Sequence, residues 1–271
     1  MRPPAELTPW AVCIKGLIGY NEPVISNTLD GTFATAFGPL HWLRLQAFPL
    51  PILDPPDFLS PEETEYWTAL KSDKRRHDWL LGRRAAKQLV ADIIQRRTTR
   101  SLPLAQITIL PHADGWPIVT LGSMVDPPAL TLSISHTRQT AFCAAVERAD
   151  QPLGADTEVV EPRSAAFAEE YFTHLENRFL AAAPPEQHLR LVNAIWSGKE
   201  AALKAIRRGL AEDTRIVSCL PHPMMTDGLE WMPMRIIWTE ERLNRPLPLL
   251  SGRWRSDGEI VMTLAFTAPA A

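Results

Sequence analysis

Asp156 and Glu158 stand two residues apart in LGADTEVV, and on an extended chain that spacing turns both carboxylates to one face. Adjacent acids repel unless a cation lies between them, and hard oxygen ligands suit Mg²⁺ or Mn²⁺ held together with phosphate groups. An edge strand carrying both acids into water is the plainer alternative. A third acid, Glu200, lies in WSGKEAALKA between Lys199 and Lys204. On a helix, Trp196, Glu200 and Leu203 share a face, which sets an acid at the border of an apolar stripe, where an unpartnered charge is costly to bury. A metal shared with Asp156 and Glu158 would partner it, and Lys199 and Lys204 would meet the oxygens of a diphosphate. The alternative is a solvent-facing ion pair from Glu200 to Lys204, worth about 0.2–0.5 kcal/mol at this spacing. A further polar group is SISH, in which Ser133, Ser135 and His136 close a strand. Hydroxyls and an imidazole donate hydrogen bonds to phosphate oxygens, and a protonated His136 adds charge. An ordinary polar strand end would read the same way.

These residues need a scaffold, and the hydropathy pattern supplies one. HWLRLQAF (41–48) alternates as a half-buried strand, and Ser60 with Pro61 and Glu63 marks a capped helix start. A second helix is predicted over 75–95 from the three- and four-residue spacing of Trp79, Leu80, Ala86, Leu89 and Val90. QITILP and WPIVTL flank an Asp-Gly turn and read as a hairpin, and ALTLSISH and TAFCAAVE read as two further strands. LGADTEVVE is a strand, helices are predicted over 164–183 and 189–208, and RIVSC, MRIIWTE and EIVMTLAF complete a second set of strands. The order strand, helices, strands occurs twice. It predicts an α/β (α+β) chain of two similar halves, although no internal sequence repeat proves it. The expected division is a loosely structured extension over 1–39, one half over 40–152 and a second over 153–271. The join near 150–153 is too short for the halves to move independently.

Composition narrows the setting. The chain has 271 residues, 45% of them hydrophobic, and a formal net charge of −3, so nothing draws it as a whole to nucleic acid or anionic membrane. Between Lys71 and Arg100, however, ten basic residues face three acids, which is either a solvated helix face or a local site for an anionic partner. Cys13, Cys143 and Cys219 are odd in number and widely separated, which argues against a disulfide framework or a structural zinc site and fits a reducing compartment. With no apolar run long enough to span a bilayer and no signal-peptide pattern, a cytoplasmic location is expected.

Taken together and in order, Ser133–His136, Gly154-Ala155-Asp156-Thr157-Glu158 and Trp196-x-x-Lys199-Glu200-Ala201-x-x-Lys204 resemble the motifs of the 4'-phosphopantetheinyl transferases of the pseudo-dimeric Sfp type. The resemblance extends over about 41–265, with weaker matches in WLLGRRAAK (79–87) and the Gly115-Trp116-Pro117 turn. It implies transfer of the 4'-phosphopantetheine arm from coenzyme A to a serine of an apo acyl or peptidyl carrier protein, as in fatty acid, polyketide or nonribosomal peptide synthesis, with release of adenosine 3',5'-bisphosphate. By that resemblance Asp156, Glu158 and Glu200 ligate Mg²⁺, and Glu200 is also the general base for the incoming serine. Lys199 and Lys204 contact the diphosphate, Lys204 neutralising charge as it breaks, while Ser135 and His136 bind coenzyme A. Lys74, Arg75, Arg76 and Arg83 are the candidates for its 3'-phosphate. Carrier proteins are usually acidic, so the basic 71–100 segment would steer them. Fused halves that form one site between them would make a monomer sufficient. The chain departs from the pattern at Trp116, where many members carry Lys or Arg, which puts one phosphate or adenine contact in doubt. Two other classes remain open: a non-catalytic homologue that binds carrier protein or coenzyme A, and a Mg²⁺-dependent phosphodiesterase or nuclease.

Overall fold

Two helix-backed antiparallel sheets pack against each other in a computed structural model that describes residues 23, 25–47, 54–122, 127–209, 212–223, 230–239, 247–257 and 259–269. The first half begins with strands β1 (Ile25–Thr35) and β2 (Gly38–Ala47). Helices α1 (Pro61–Ala69) and α2 (Asp73–Thr98) follow, and then strands β3 (Ile107–Pro111), β4 (Pro117–Leu121), β5 (Thr131–Thr137) and β6 (Thr140–Val146). The second half runs through β7 (Leu153–Val159), α3 (Ala165–Tyr171), α4 (His174–Ala182) and α5 (Pro185–Ala205) to β8 (Val217–Pro221), β9 (Met232–Trp238), β10 (Leu250–Ser256) and β11 (Ile260–Thr267). One sheet has the order β1-β2-β6-β5, the other β7-β11-β10-β9-β8, and β3 and β4 form a separate hairpin.

The long helix of each half buries one face on its sheet. In the first, Leu81, Ala85 and Leu89 of α2 pack on Leu43, Ile107 and Cys143; in the second, Leu191, Ile195 and Ala202 of α5 pack on Val217, Cys219 and Trp254. A third apolar layer, including Leu40, Trp42, Phe142, Met262 and Leu264, glues the two sheets together. At roughly 1.5–3 kcal/mol for each large apolar side chain removed from water, this layer holds the halves as one unit.

The duplication that the sequence leaves unproved is visible in two matching buried networks. In the first half, Ser60 caps α1 in a capping box with Glu63, and Glu63 then pairs with Lys87 of α2. Its other oxygen accepts from the Ile109 amide at 2.8 Å, while Lys87 donates to the Phe58 carbonyl at 2.6 Å. In the second half, Thr173 caps α4 in a capping box with Glu176, which pairs with Lys199 of α5 at 2.8 Å. Glu176 accepts from the Cys219 amide at 2.7 Å, and Lys199 donates to the carbonyls of Thr214 at 2.9 Å and Val217 at 2.6 Å. The same carboxylate, at the same point of the same cap, bolts helix, long helix and following strand together in both halves.

Four expectations need correction. The extension does not stay loose to 39, because Ile25–Thr35 pairs with β2 along its length and Gly31 lets the chain lie against the Trp42 indole, which a Cβ there would meet at 2.8 Å. Residues 1–22 and 24, with Cys13 and the strand end at Phe48, lie outside the described residues. The single helix expected over 164–183 is two, because the Thr173–Glu176 capping box starts a new one after the extended Phe172. The helix expected over 189–208 starts earlier, at Pro185, and ends at Ala205, before the left-handed backbone of Arg207. Strand β10 was not anticipated; its RWRS stretch reads as polar, yet Trp254 and Arg255 are both buried. Among the described residues Cys143 and Cys219 are buried free thiols, and no helix is long and apolar enough to cross a membrane.

Candidate active site

Strand β7 is the last strand of its sheet, but its outer edge does not face water. It lies along β5 of the first half, where the Ala155 amide donates to Ser133 Oγ at 2.9 Å. Helix α5 presses on its face so closely that a Cβ on Gly154 would sit 1.8 Å from the Ala201 carbonyl oxygen. Glycine is needed here for approach, and that approach brings Glu200 and Lys204 down onto the strand acids. We expect Gly154→Ala to lift α5, to cost about 1–3 kcal/mol in urea unfolding, and to weaken Mg²⁺ binding; an unchanged urea midpoint would contradict the tight contact.

Asp156, Glu158 and Glu200 converge, with one oxygen from each lying within 4.8 Å of the others. The alternative of two acids facing water is excluded for Asp156, which is 1% exposed. Ser135 Oγ donates to its Oδ1 at 2.7 Å, Ser197 Oγ to its Oδ2 at 2.7 Å, and Lys204 Nζ to its Oδ1 at 2.6 Å. Glu158 is held by Trp196 Nε1 at 3.1 Å and by Arg163 at 3.0 Å. Arg163 is fixed in turn by Asn193 Oδ1 at 3.1 Å. Glu200 meets the Lys204 ammonium at 3.8 Å and shares a hydrogen bond with the Asp156 carboxyl.

That crowding has an electrostatic consequence. Burial, then the charge of Asp156 and with it Glu158, push the Glu200 carboxyl up to about 8 against the pull of Lys204. Burial and Asp156 also raise Glu158. Burial works to lower Lys204, but attraction from Asp156 and Glu200 outweighs it and the ammonium stays charged. Three ionised acids against the Lys204 ammonium and the Arg163 guanidinium leave one negative charge in excess, and the oxygen-only donor set fits a hard divalent cation such as Mg²⁺. A carboxyl raised in the fold stabilises it when protonated, and that contribution is lost as pH climbs through about 8. A cation needs the ionised form, so apparent Mg²⁺ affinity, read as the rise in Tm on adding Mg²⁺, should increase from pH 6 to pH 8. A pH-independent rise would count against Glu200 as a ligand.

The sequence-selected residues separate into two groups. Asp156, Glu158, Glu200, Lys204 and Ser135 meet at the seam, with Ser135 bound to Asp156 rather than free for a phosphate. His136 lies at the end of β5 with its residue surface exposed, and partial desolvation of its imidazole lowers it, with Asp78 and Asp156 opposing and Lys204 and Lys74 adding to the shift. Lys74 is exposed on the first turn of α2, paired with Asp78 at 2.8 Å, and Arg75 is exposed beside it. Lys199 is a correction. It projects from the opposite side of α5 into the buried Glu176 network, is 0% exposed, and cannot meet a diphosphate. Five residues apart on a helix is about 140° of rotation, which is why Lys199 and Lys204 diverge. Arg76 is likewise engaged, capping the end of α1 through the Leu70 carbonyl at 2.9 Å. Arg83 lies buried over the Trp79 ring at 4.5 Å, where desolvation pulls it down to about 10. Trp196, Ser197 and Arg163 were missed as positioning residues; the only sequence signal for the first two is that they share the helix turn leading to Glu200.

Beside the acids, a cavity of about 440 Å³ opens along the seam, lined by Ser133, Leu153, Lys204, Trp116, Arg207 and Asp150 among others. The site therefore has an acidic cluster, one ammonium joining it to a cavity, and walls from both halves.

Comparison with known proteins agrees with this architecture. Residues 152–242 match the family model of the 4'-phosphopantetheinyl transferase superfamily. The chain is 28% identical to the 4'-phosphopantetheinyl transferase psf-1 of Bacillus pumilus over 130 residues, 47% of this chain and 52% of that one. It is 28% identical to the 4'-phosphopantetheinyl transferase Sfp of Bacillus subtilis (strain 168) over 154 residues, 57% of this chain and 62% of that one. It is 32% identical to the 4'-phosphopantetheinyl transferase HetI of Nostoc sp. over 94 residues, 34% of this chain and 39% of that one. The matches thus span between about two fifths and three fifths of each relative's length. The segment that matches the 4'-phosphopantetheinyl transferase superfamily is the one that carries Asp156, Glu158, Glu200 and Lys204, so the similarity falls on the acidic cluster itself.

Proposed function

We propose that this protein transfers the 4'-phosphopantetheine arm of coenzyme A to a serine hydroxyl of an apo acyl or peptidyl carrier protein, in a Mg²⁺-dependent reaction that releases adenosine 3',5'-bisphosphate. The observation that carries the reading is the convergence of Asp156, Glu158 and Glu200 within 4.8 Å, with Lys204 linking them to the seam cavity. Asp156, Glu158 and Glu200 would hold Mg²⁺, which when bound supplies charge neutralisation for the diphosphate and keeps Glu200 ionised.

The chain's own residues account for the rest. Glu200, the least restrained of the three acids, takes the proton of the incoming serine, directly or through water. The serine oxygen bonds to the phosphorus next to pantetheine, and the bond to the bridging oxygen of the diphosphate breaks. Lys204, already poised between acids and cavity, meets the charge that develops on the leaving adenosine bisphosphate. Trp196, Arg163, Ser135 and Ser197 act by position, locking Glu158 and Asp156 so that only Glu200 is free to move a proton. Because both halves wall the cavity, one chain is sufficient for a site, and we place the reaction in the cytoplasm with its substrates.

The test is intact-mass analysis of apo carrier proteins of fatty acid, polyketide and peptide type, incubated with this protein, coenzyme A and Mg²⁺. One added phosphopantetheine, abolished by EDTA, is the expected result. Coenzyme A binding with no mass gain on any carrier would instead identify a non-catalytic homologue.

A further inference from the structure

The second sheet has two faces, and the acidic cluster uses one of them. Asp156, Thr263 and Trp254 are partners across β7, β11 and β10 and lie on the side of α5. The strand period turns their neighbours the other way, so Met262 and Leu264 of β11 enter the apolar layer against the first half. Directly across from these two, on β10, stand Arg255 and Arg253, and Ser251 before them is paired with Arg235 of β9. The face turned towards the first half therefore carries three arginines in a line.

That face is only partly covered. Arg255 is buried against the Trp42 and Trp231 rings, 5.6 Å and 5.8 Å from their centroids, and Arg44 of β2 pairs with Asp257 beside it. Beyond Arg255 a cleft of about 620 Å³ opens under the β1–β2 turn, with Phe33 and Thr35 on one wall and Arg253, Arg235, Ile237 and Phe266 on the other. Phe33 is fixed there, its ring meeting Trp231 edge-on at 5.4 Å. None of the described residues lining the cleft is acidic, and neither Arg235 nor Arg253 has an ion-pair partner among the described residues.

Charge and shape together select an occupant. Arg235 and Arg253 are diagonal neighbours on adjacent strands, about 7–8 Å apart along the sheet, which lets both guanidiniums reach one carboxylate, the anion whose paired oxygens match their donors. The remaining wall is largely apolar, and the volume is that of an ordinary small-molecule site. An inorganic ion would leave the apolar wall wet, and a neutral hydrocarbon chain would leave two cations unmatched.

We propose that this cleft binds a medium-chain carboxylate, with its headgroup between Arg235 and Arg253 and its chain along Phe33, Ile237 and Phe266. The site lies on the opposite face of the second sheet from Asp156, shares no lining residue with the seam cavity, and does not depend on the transferase reading.

Calorimetric titration of the full-length protein with octanoate tests it, with acetate as the headgroup alone and octanol as the chain alone. Octanoate should bind the parent more tightly than either. Arg253→Gln should weaken it about tenfold, the loss of one charge-assisted contact, and so should Arg235→Gln, whose exposed position makes it the variant that leaves the fold undisturbed. Both variants should keep the parent's Tm rise on adding Mg²⁺, and saturating coenzyme A should leave octanoate affinity unchanged. The inference is overturned by a parent that does not bind octanoate, by acetate or octanol binding as tightly, by unchanged affinity in both arginine variants, or by displacement with coenzyme A, which would place the ligand in the seam cavity instead.

Discussion

Glu200→Gln should lower carrier-protein modification by about a thousandfold, in the middle of the range for removal of a positioned acid–base group, while the protein remains folded. The substitution keeps shape and volume on α5 but removes the charge that a cation would use and the base that the serine would use. The geometry singles out this acid. Asp156 is held by two hydroxyls and an ammonium, and Glu158 by an indole and a guanidinium, whereas Glu200 meets its one cation, Lys204, at 3.8 Å, shares a hydrogen bond with Asp156 and has a carboxyl pushed up to about 8. Because burial and neighbouring acids disfavour its charge, neutralising it with Gln should hold or raise the Tm of the metal-free protein. The Mg²⁺-dependent rise in Tm should disappear. An intact-mass time course together with thermal unfolding checks both; turnover within tenfold of the parent would remove Glu200 from the base and ligand roles alike.

The second large effect concerns stability and the lysine next door. Lys199→Ala should destabilise the protein by roughly 3–5 kcal/mol, because it strands the fully buried Glu176 carboxylate without its counter-charge. Two carbonyl acceptors, of Thr214 and Val217, lose their donor at the same time. The double variant Lys199→Met with Glu176→Gln should recover part of that loss, since it leaves no buried charge and keeps an acceptor for the Cys219 amide. Urea unfolding of both variants separates the two contributions. Lys199→Ala that unfolds at the parent midpoint while losing only coenzyme A affinity would restore the diphosphate role that the structure denies it. Lys204, on the other side of the same helix, should behave in the opposite way, with its loss felt in turnover.

This contrast marks the limit of sequence reasoning here. Lys199 directly precedes Glu200 and Lys204 follows it by four residues; helix spacing parts the two lysines, but nothing in WSGKEAALKA says which ammonium is structural and which is the working one. Burial against Glu176 does, and Glu176 is remote in sequence, hidden within a capping box whose local role already accounts for it. The basic run from Lys71 to Arg100 poses the same problem. Arg76 and Arg83 look equivalent to Lys74 and Arg75 until α2 is placed against α1 and Trp79, after which two are engaged in the fold and two face solvent. Ser135 differs in the other direction, since its partner is Asp156 across the seam.

What the sequence determined by itself was everything set by local spacing: the strand period that pairs Asp156 with Glu158, the helix turn that aligns Trp196 with Glu200, the cap at Ser60, and the ordered motifs that carry the resemblance. Tertiary structure alone decided which lysine serves the acids, that Gly154 admits α5 onto β7, and that β1 extends the first sheet. The reason is physical. Backbone periodicity acts over a few residues and is written in them, whereas burial, counter-charge and close approach are properties of pairs that only the packed chain brings together.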